Sequence, residues 1–113
     1  MVATYVPDAG DLVWLDFDPQ AGREQARRRP ALVLTDRGYN RASGLAVVCP
    51  LTSKRKPYPF ALPVFLDNVE GAVLVDHIKS MDWKARNAAL HSKADATLLD
   101  KVRAYVGVLL CIR

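Results

Sequence analysis

Histidine and cysteine are scarce: two of each occur in 113 residues. His77, His91, Cys49 and Cys111 lie in separate segments without a zinc-ligand spacing among them. No metal site is expected, no disulfide framework can form, and both cysteines are expected to be buried free thiols. Long apolar runs are also missing. The stretches around Leu45–Leu51 and Tyr105–Ile112 fall far short of the roughly 20 residues that span a bilayer, so no membrane span is expected. The opening residues Met-Val-Ala-Thr-Tyr-Val-Pro-Asp lack a basic region followed by an apolar one, which makes the cytoplasm the expected location. Neither sign of charge dominates: sixteen Lys and Arg against twelve Asp and Glu give +4. That balance permits a polyanionic partner without demanding one.

Half the residues are apolar and a quarter are charged, as in a folded chain, and 113 residues fit a single domain over 1–113 rather than a multidomain enzyme or a repeat array. Leu12–Phe17 alternates Val13, Leu15 and Phe17 against Leu12, Trp14 and Asp16, which predicts a strand. Asp18–Pro30, with Pro19, Gly22 and a run of charge, predicts a long loop. Ala31–Thr35 and Leu45–Cys49 predict a hairpin joined by turn residues within Asp36–Gly44. Leu51–Pro59 predicts a second basic loop, and further strands fit Phe60–Phe65, Ala72–Val75 and Ile78–Trp83, with a turn at Asp67–Gly71 between the first two. About six short strands suggest a small barrel. From Ala94 the period changes: Leu98, Leu99, Val102, Val106, Leu109 and Leu110 mark an amphipathic C-terminal helix, with Asp95 as its cap. The fold class is therefore β-rich α+β.

Seven of the sixteen basic residues fall in two loops, within Arg23–Arg29 and Lys54–Lys56. Arg29 precedes the Ala31 strand and Thr52 follows the Leu45 strand, so both emerge at one sheet end if those strands are neighbours. Guanidinium groups pair bidentately with phosphate, and single-stranded nucleic acid is gripped by cations alternating with aromatic platforms. Phe17 and Tyr58 are candidate platforms, whereas Trp14 shares its strand with apolar residues and fits the core better. The competing account is that both loops are merely solvated and that Thr52 caps a turn.

Several motifs resemble those of the MazF (PemK/Kid) toxin family: Tyr5-Val6-Pro7-Asp8 with Gly10-Asp11-Leu12-Val13-Trp14, then Asp16-Phe17-Asp18-Pro19, Glu24-Gln25-Ala26 and Arg29-Pro30-Ala31. Pro50, Thr52, Tyr58-Pro59-Phe60, Asp76, Lys79-Ser80 and Trp83 extend the resemblance over nearly the whole chain. It implies an SH3-like (CcdB/PemK-type) barrel and a dimeric, sequence-specific, ribosome- and metal-independent endoribonuclease that needs no cofactor and is neutralised by an acidic MazE-like antitoxin. It also implies Arg29, Thr52 and Glu24 as catalytic residues. Glu24 is chemically the easier general base, although an ion pair with a neighbouring arginine would explain it equally. Phe17, Arg28, Lys56, Tyr58, His77 and Lys79 are the expected contacts to single-stranded RNA. The sequence departs from the family where Arg27 and Arg28 replace a small residue and a histidine, and at His77 and Asp82. Two rival readings remain: a nucleic-acid module without catalysis, and a CcdB-like gyrase poison for which Arg29 and Thr52 would have no purpose.

Overall fold

A computed structural model describes residues 5–17, 28–54 and 58–112. Its strands are β1 (Asp11–Asp16), β2 (Arg28–Val33), β3 (Leu45–Thr52), β4 (Ala61–Leu66), β5 (Val69–Leu74), β6 (Lys79–Asp82) and β7 (Ala89–Lys93). Helix α1 (Arg37–Ser43) lies between β2 and β3, a 3-10 turn spans Val75–His77, and helix α2 (Ala96–Leu109) closes the described chain. All pairings are antiparallel, in the order β4-β5-β3-β2-β1-β7, with β6 added to the first half of β3. The sheet curls into a half-barrel with α2 against it, as the sequence predicts.

Apolar residues on β1–β3 divide between two cores. Leu12, Leu32, Cys49 and Leu51 point to one side with Leu62, Val73, Val75 and the helix residue Val102. Val13, Leu15, Ala31, Val33, Ala46 and Val48 point to the other, where Met81 and Trp83 cover them. With both faces buried, these central strands are near-continuous apolar runs in the sequence. β3 pairs with β6 through Leu45–Val48 and with β5 through Leu51–Thr52. Pro50 falls at this changeover, where a missing N–H interrupts a central strand least.

Five expectations are corrected. Arg28–Pro30 belongs to β2 rather than to the preceding loop, because those residues pair with Trp14–Asp16. Leu51 and Thr52 extend β3. The Asp36–Gly44 connection of the expected hairpin holds α1, anchored through its own Asn40: the side-chain amide donates to the carbonyls of Pro7 and Thr35, and Trp83 Nε1 donates to the Asn40 backbone oxygen. Gly44, at φ 77°, supplies the left-handed C-cap. Strand β7 escapes the sequence because it is an edge strand with little burial and no clean alternation. Cys49 is buried, but Cys111 lies beyond α2 in a left-handed conformation and is exposed.

The turn between β4 and β5 narrows to Asp67-Asn68, both at positive φ, the geometry of a two-residue hairpin. Asp95 caps α2 by accepting from the Leu98 N–H at 2.9 Å. Leu98, Leu99 and Val106 pack on the core around fully buried Val102, whereas Leu110 lies past the helix end and is exposed.

Candidate active site

The β2–β3 ladder pairs Ala31 with Pro50; carried two residues toward the strand ends, it sets Arg29 opposite Thr52. Both line a cleft of about 540 Å³, along with Trp14, Pro30, Leu51, Ser53, Lys54 and residues of the β4–β5 hairpin. Thr52 Oγ1 accepts from the Lys54 N–H at 3.1 Å. That bond occupies a lone pair and leaves the hydroxyl hydrogen available to a ligand. A guanidinium and a hydroxyl donor facing one cleft suit an oxyanion such as a phosphoryl group.

Phe17 stands at the end of β1. The Arg29 guanidinium lies 5.7 Å from its ring centroid and the Lys79 ammonium 5.6 Å, so the ring holds two cations by its electron-rich face. Arg86 fixes that strand end by donating to the carbonyls of Asp16 and Phe17, each at 3.0 Å. Nothing in the sequence around Arg86 signals this role, since its acceptors are backbone atoms nearly seventy positions away.

Arg28 points elsewhere. It donates to Asp16 Oδ1 at 2.9 Å and to the Asn87 carbonyl at 2.6 Å, while Asn87 Nδ2 donates to Asp16 Oδ2 at 2.8 Å. Hydrogen bonds from Asn87 and Arg28 hold the Asp16 carboxyl below its ordinary range. Tyr58 is exposed and its hydroxyl donates to the Asp76 carboxylate, which raises the phenol's pKa. Asp76 and His77 share the 3-10 turn that leads into Lys79. The structure thus brings Phe17, Arg29 and Lys79 together and sets Thr52 beside Arg29, but of the expected RNA contacts Phe17, Arg28, Tyr58, His77 and Lys79 all fall outside the residues that line the cleft. Glu24 and Lys56 lie outside the described residues.

Trp14, expected in the core, is half-buried and forms part of the cleft wall. The strand alternation that pointed to burial cannot show that the sheet curls around an open space at this position. Among the described residues there is no group of three His, Cys, Asp or Glu side chains able to hold a metal ion.

Comparison with known proteins gives the family of the chain. The chain is 41% identical over 110 residues to the endoribonuclease toxin MazF of Escherichia coli K12, covering 97% of this chain and 99% of that one. It is 32% identical to the endoribonuclease PemK of Escherichia coli, over 91% and 81% of the two chains. A crystal structure of MazF from Deinococcus radiodurans superposes with a TM-score of 0.85 at 50% identity, covering 96% of this chain and 99% of that one. A MazE-MazF crystal structure from the same organism gives 0.86 at 48% identity, over 96% and 100%. The model of the PemK-like, MazF-like toxins of type II toxin-antitoxin systems matches residues 8–110, and the chain belongs to that family.

Proposed function

We propose that this MazF-type endoribonuclease toxin cuts single-stranded RNA at the cleft between Arg29 and Thr52, using the substrate's own 2′-hydroxyl as nucleophile. The 2′-oxygen attacks the adjacent phosphorus in line, the bond from phosphorus to the 5′-oxygen breaks, and the products are a 2′,3′-cyclic phosphate and a 5′-hydroxyl. The 2′-hydroxyl proton passes to a base and the departing 5′-oxygen takes up a proton. Negative charge grows on the non-bridging oxygens. The Arg29 guanidinium and the Thr52 hydroxyl are placed to receive it, and the guanidinium supplies the positive charge that a metal provides in other nucleases. Glu24 is the proposed base. Phe17, Arg28, Lys56, Tyr58, His77 and Lys79 are the proposed RNA contacts, the cations meeting phosphates and the rings meeting bases.

The observation that carries this reading is the shared cleft of Arg29 and Thr52. A nucleic-acid module without catalysis needs no such hydroxyl. The partner is a MazE-like acidic antitoxin, a reading supported by the MazE-MazF assemblies of the Deinococcus radiodurans relative. The protein acts as a cytoplasmic homodimer, with the apolar side of α2 serving both the barrel and a second subunit. No described helix is long and apolar enough to cross a membrane.

The test is incubation of the pure protein with single-stranded RNA and with DNA of the same sequence, in excess chelator. RNA cleavage leaving cyclic phosphate and 5′-hydroxyl ends, with DNA intact, is the expected result. Inhibition by chelator that a divalent ion reverses, or 5′-phosphate products, would overturn the mechanism.

A further inference from the structure

The cleft has a second end that the cleavage chemistry does not use. Its wall is formed by Trp14, Val64, Leu66, Val69 and Asp67, the last at the tip of the β4–β5 hairpin. Behind this wall stands His91 of β7. Its Nε2 lies 2.9 Å from Asp67 Oδ2, its Nδ1 lies 2.7 Å from Ser92 Oγ, and its ring centroid is 5.4 Å from that of Trp14. A carboxylate only accepts, so Nε2 carries the hydrogen of the first bond.

Both members of the pair stand at unusual backbone positions. β1 pairs Leu12 with Ser92 and then Val13 with Leu90, which leaves His91 as the extra residue of a β-bulge. A bulge turns its side chain away from the regular alternation. Asp67 occupies the hairpin turn at φ 53°. Since β4 and β7 are the opposite ends of the strand order, the His91–Asp67 bond joins the two edges of the curled sheet across the cleft.

We propose that this end of the cleft is a nucleobase subsite, with Trp14 as its stacking surface, Asp67 as its specificity-determining residue and His91 as the positioning residue for both. The proposal rests on the reading of Arg29 and Thr52 as the cleavage site. A carboxylate repels phosphate, so the backbone lies at the Arg29 and Lys54 end and the base turns toward Asp67. His91 engages Oδ2, and the side chain of Asp67 is 65% exposed, which leaves Oδ1 to accept from a ligand. Adenine, cytosine and guanine present amino groups to such an acceptor. Uracil offers one imide N–H flanked by two carbonyl oxygens, which a carboxylate repels.

Two panels of single-stranded oligonucleotides, each varied one position at a time, test the subsite. A 2′-O-methyl panel cannot be cut and reports base recognition alone; a matched RNA panel reports cleavage. The wild type should favour amino-bearing bases over uracil at one position, by about tenfold in Kd. Asp67→Asn should reduce that preference at that position alone, because the amide offers uracil a donor. Asparagine tolerates the left-handed turn, so the hairpin survives the change. His91→Ala should weaken the same preference, and His91→Gln, which keeps an N–H donor, should restore part of it. A wild type with no base preference on the 2′-O-methyl panel overturns the proposal and leaves the cleft to a peptide occupant. An unchanged preference in Asp67→Asn, or a loss spread evenly over all positions, also overturns it. An RNA panel left uncut by the wild type defeats the cleavage reading instead, while the 2′-O-methyl panel still decides the subsite.

Discussion

A Cβ placed on Gly71 would overlap the carbonyl oxygen of Thr52. Strand β5 approaches the end of β3 this closely only because residue 71 has no side chain, so the position of the candidate catalytic hydroxyl depends on a glycine in the neighbouring strand. Gly71→Ala must push the strands apart. The expected outcome is a loss of about 1–3 kcal/mol in stability, typical of overpacking, with a disproportionate fall in cleavage. Urea melts and initial rates on one RNA substrate measure the two effects. Gly38→Ala is the control: nothing lies within 4 Å of the added carbon, and the exposed helical site should gain up to about 1 kcal/mol with cleavage unchanged.

Removing either proposed phosphoryl-oxygen donor should be costly. Thr52→Val keeps the shape and deletes the hydroxyl, and Arg29→Ala deletes the guanidinium; each should reduce kcat about 10²-fold or more. Single-turnover rates at saturating RNA separate this loss from weaker binding. Retention of normal rates by both variants would move the site elsewhere.

Phe17 holds Arg29 and Lys79 through its ring face, and a substitution that preserves bulk isolates that role. Phe17→Leu should lower kcat/KM about fivefold, the scale of one exposed cation–π contact, whereas Phe17→Tyr should retain activity. Steady-state kinetics at fixed salt compare the three proteins.

Acid should weaken the contacts of two surface carboxylates, Asp16 at the end of β1 and Asp8 beside α1. The folded protein lowers the carboxyl pKa of Asp16 through Asn87 and Arg28, and that of Asp8 chiefly through the Arg37 backbone N–H. Because these folded values lie below the ordinary 3.8, their contribution is present well above that pH and is lost as pH falls through the lowered values. Both groups sit near the surface, so the effect is modest. Asp16→Asn should flatten the fall of Tm below pH 4, as followed by circular dichroism.

The two thiols should differ sharply in reactivity. Burial raises Cys49 to about 12, while Cys111 is exposed. A chromogenic disulfide at pH 8 should therefore react with one thiol per chain rapidly and with the second only after denaturation. Cys111→Ser should abolish the fast phase.

Much of this was legible in the sequence where chemistry is local. The Asp95 cap, the β1 alternation and the apolar runs of β2 and β3 depend on neighbouring residues, and each element formed around its pattern, although β2 starts three residues earlier and β3 ends three residues later than the runs alone indicate. Arg29 and Thr52 could be placed at one sheet end because strand pairing follows from a short connection. Long-range effects were not legible. Helix α1 depends on Asn40 reaching Pro7 and on Trp83 reaching Asn40, and those contacts carry no sequence period. Strand β7 is recognisable only beside β1, and the wall role of Trp14 emerges only when the sheet curls.

The strand order also divides the cleft by stiffness. Arg29 and Thr52 ride on β2 and β3, each bonded on both sides within the sheet, whereas His91 and Asp67 belong to opposite rims and meet through their side chains. Each rim strand is bonded within the sheet on one side only, while separating β2 from β3 means breaching both cores. Fluctuations should thus concentrate at the rims, letting a single strand enter sideways while the two central donors stay in register. Amide exchange would record this as fast turnover along β7 and the β4–β5 tip against slow turnover in β2 and β3.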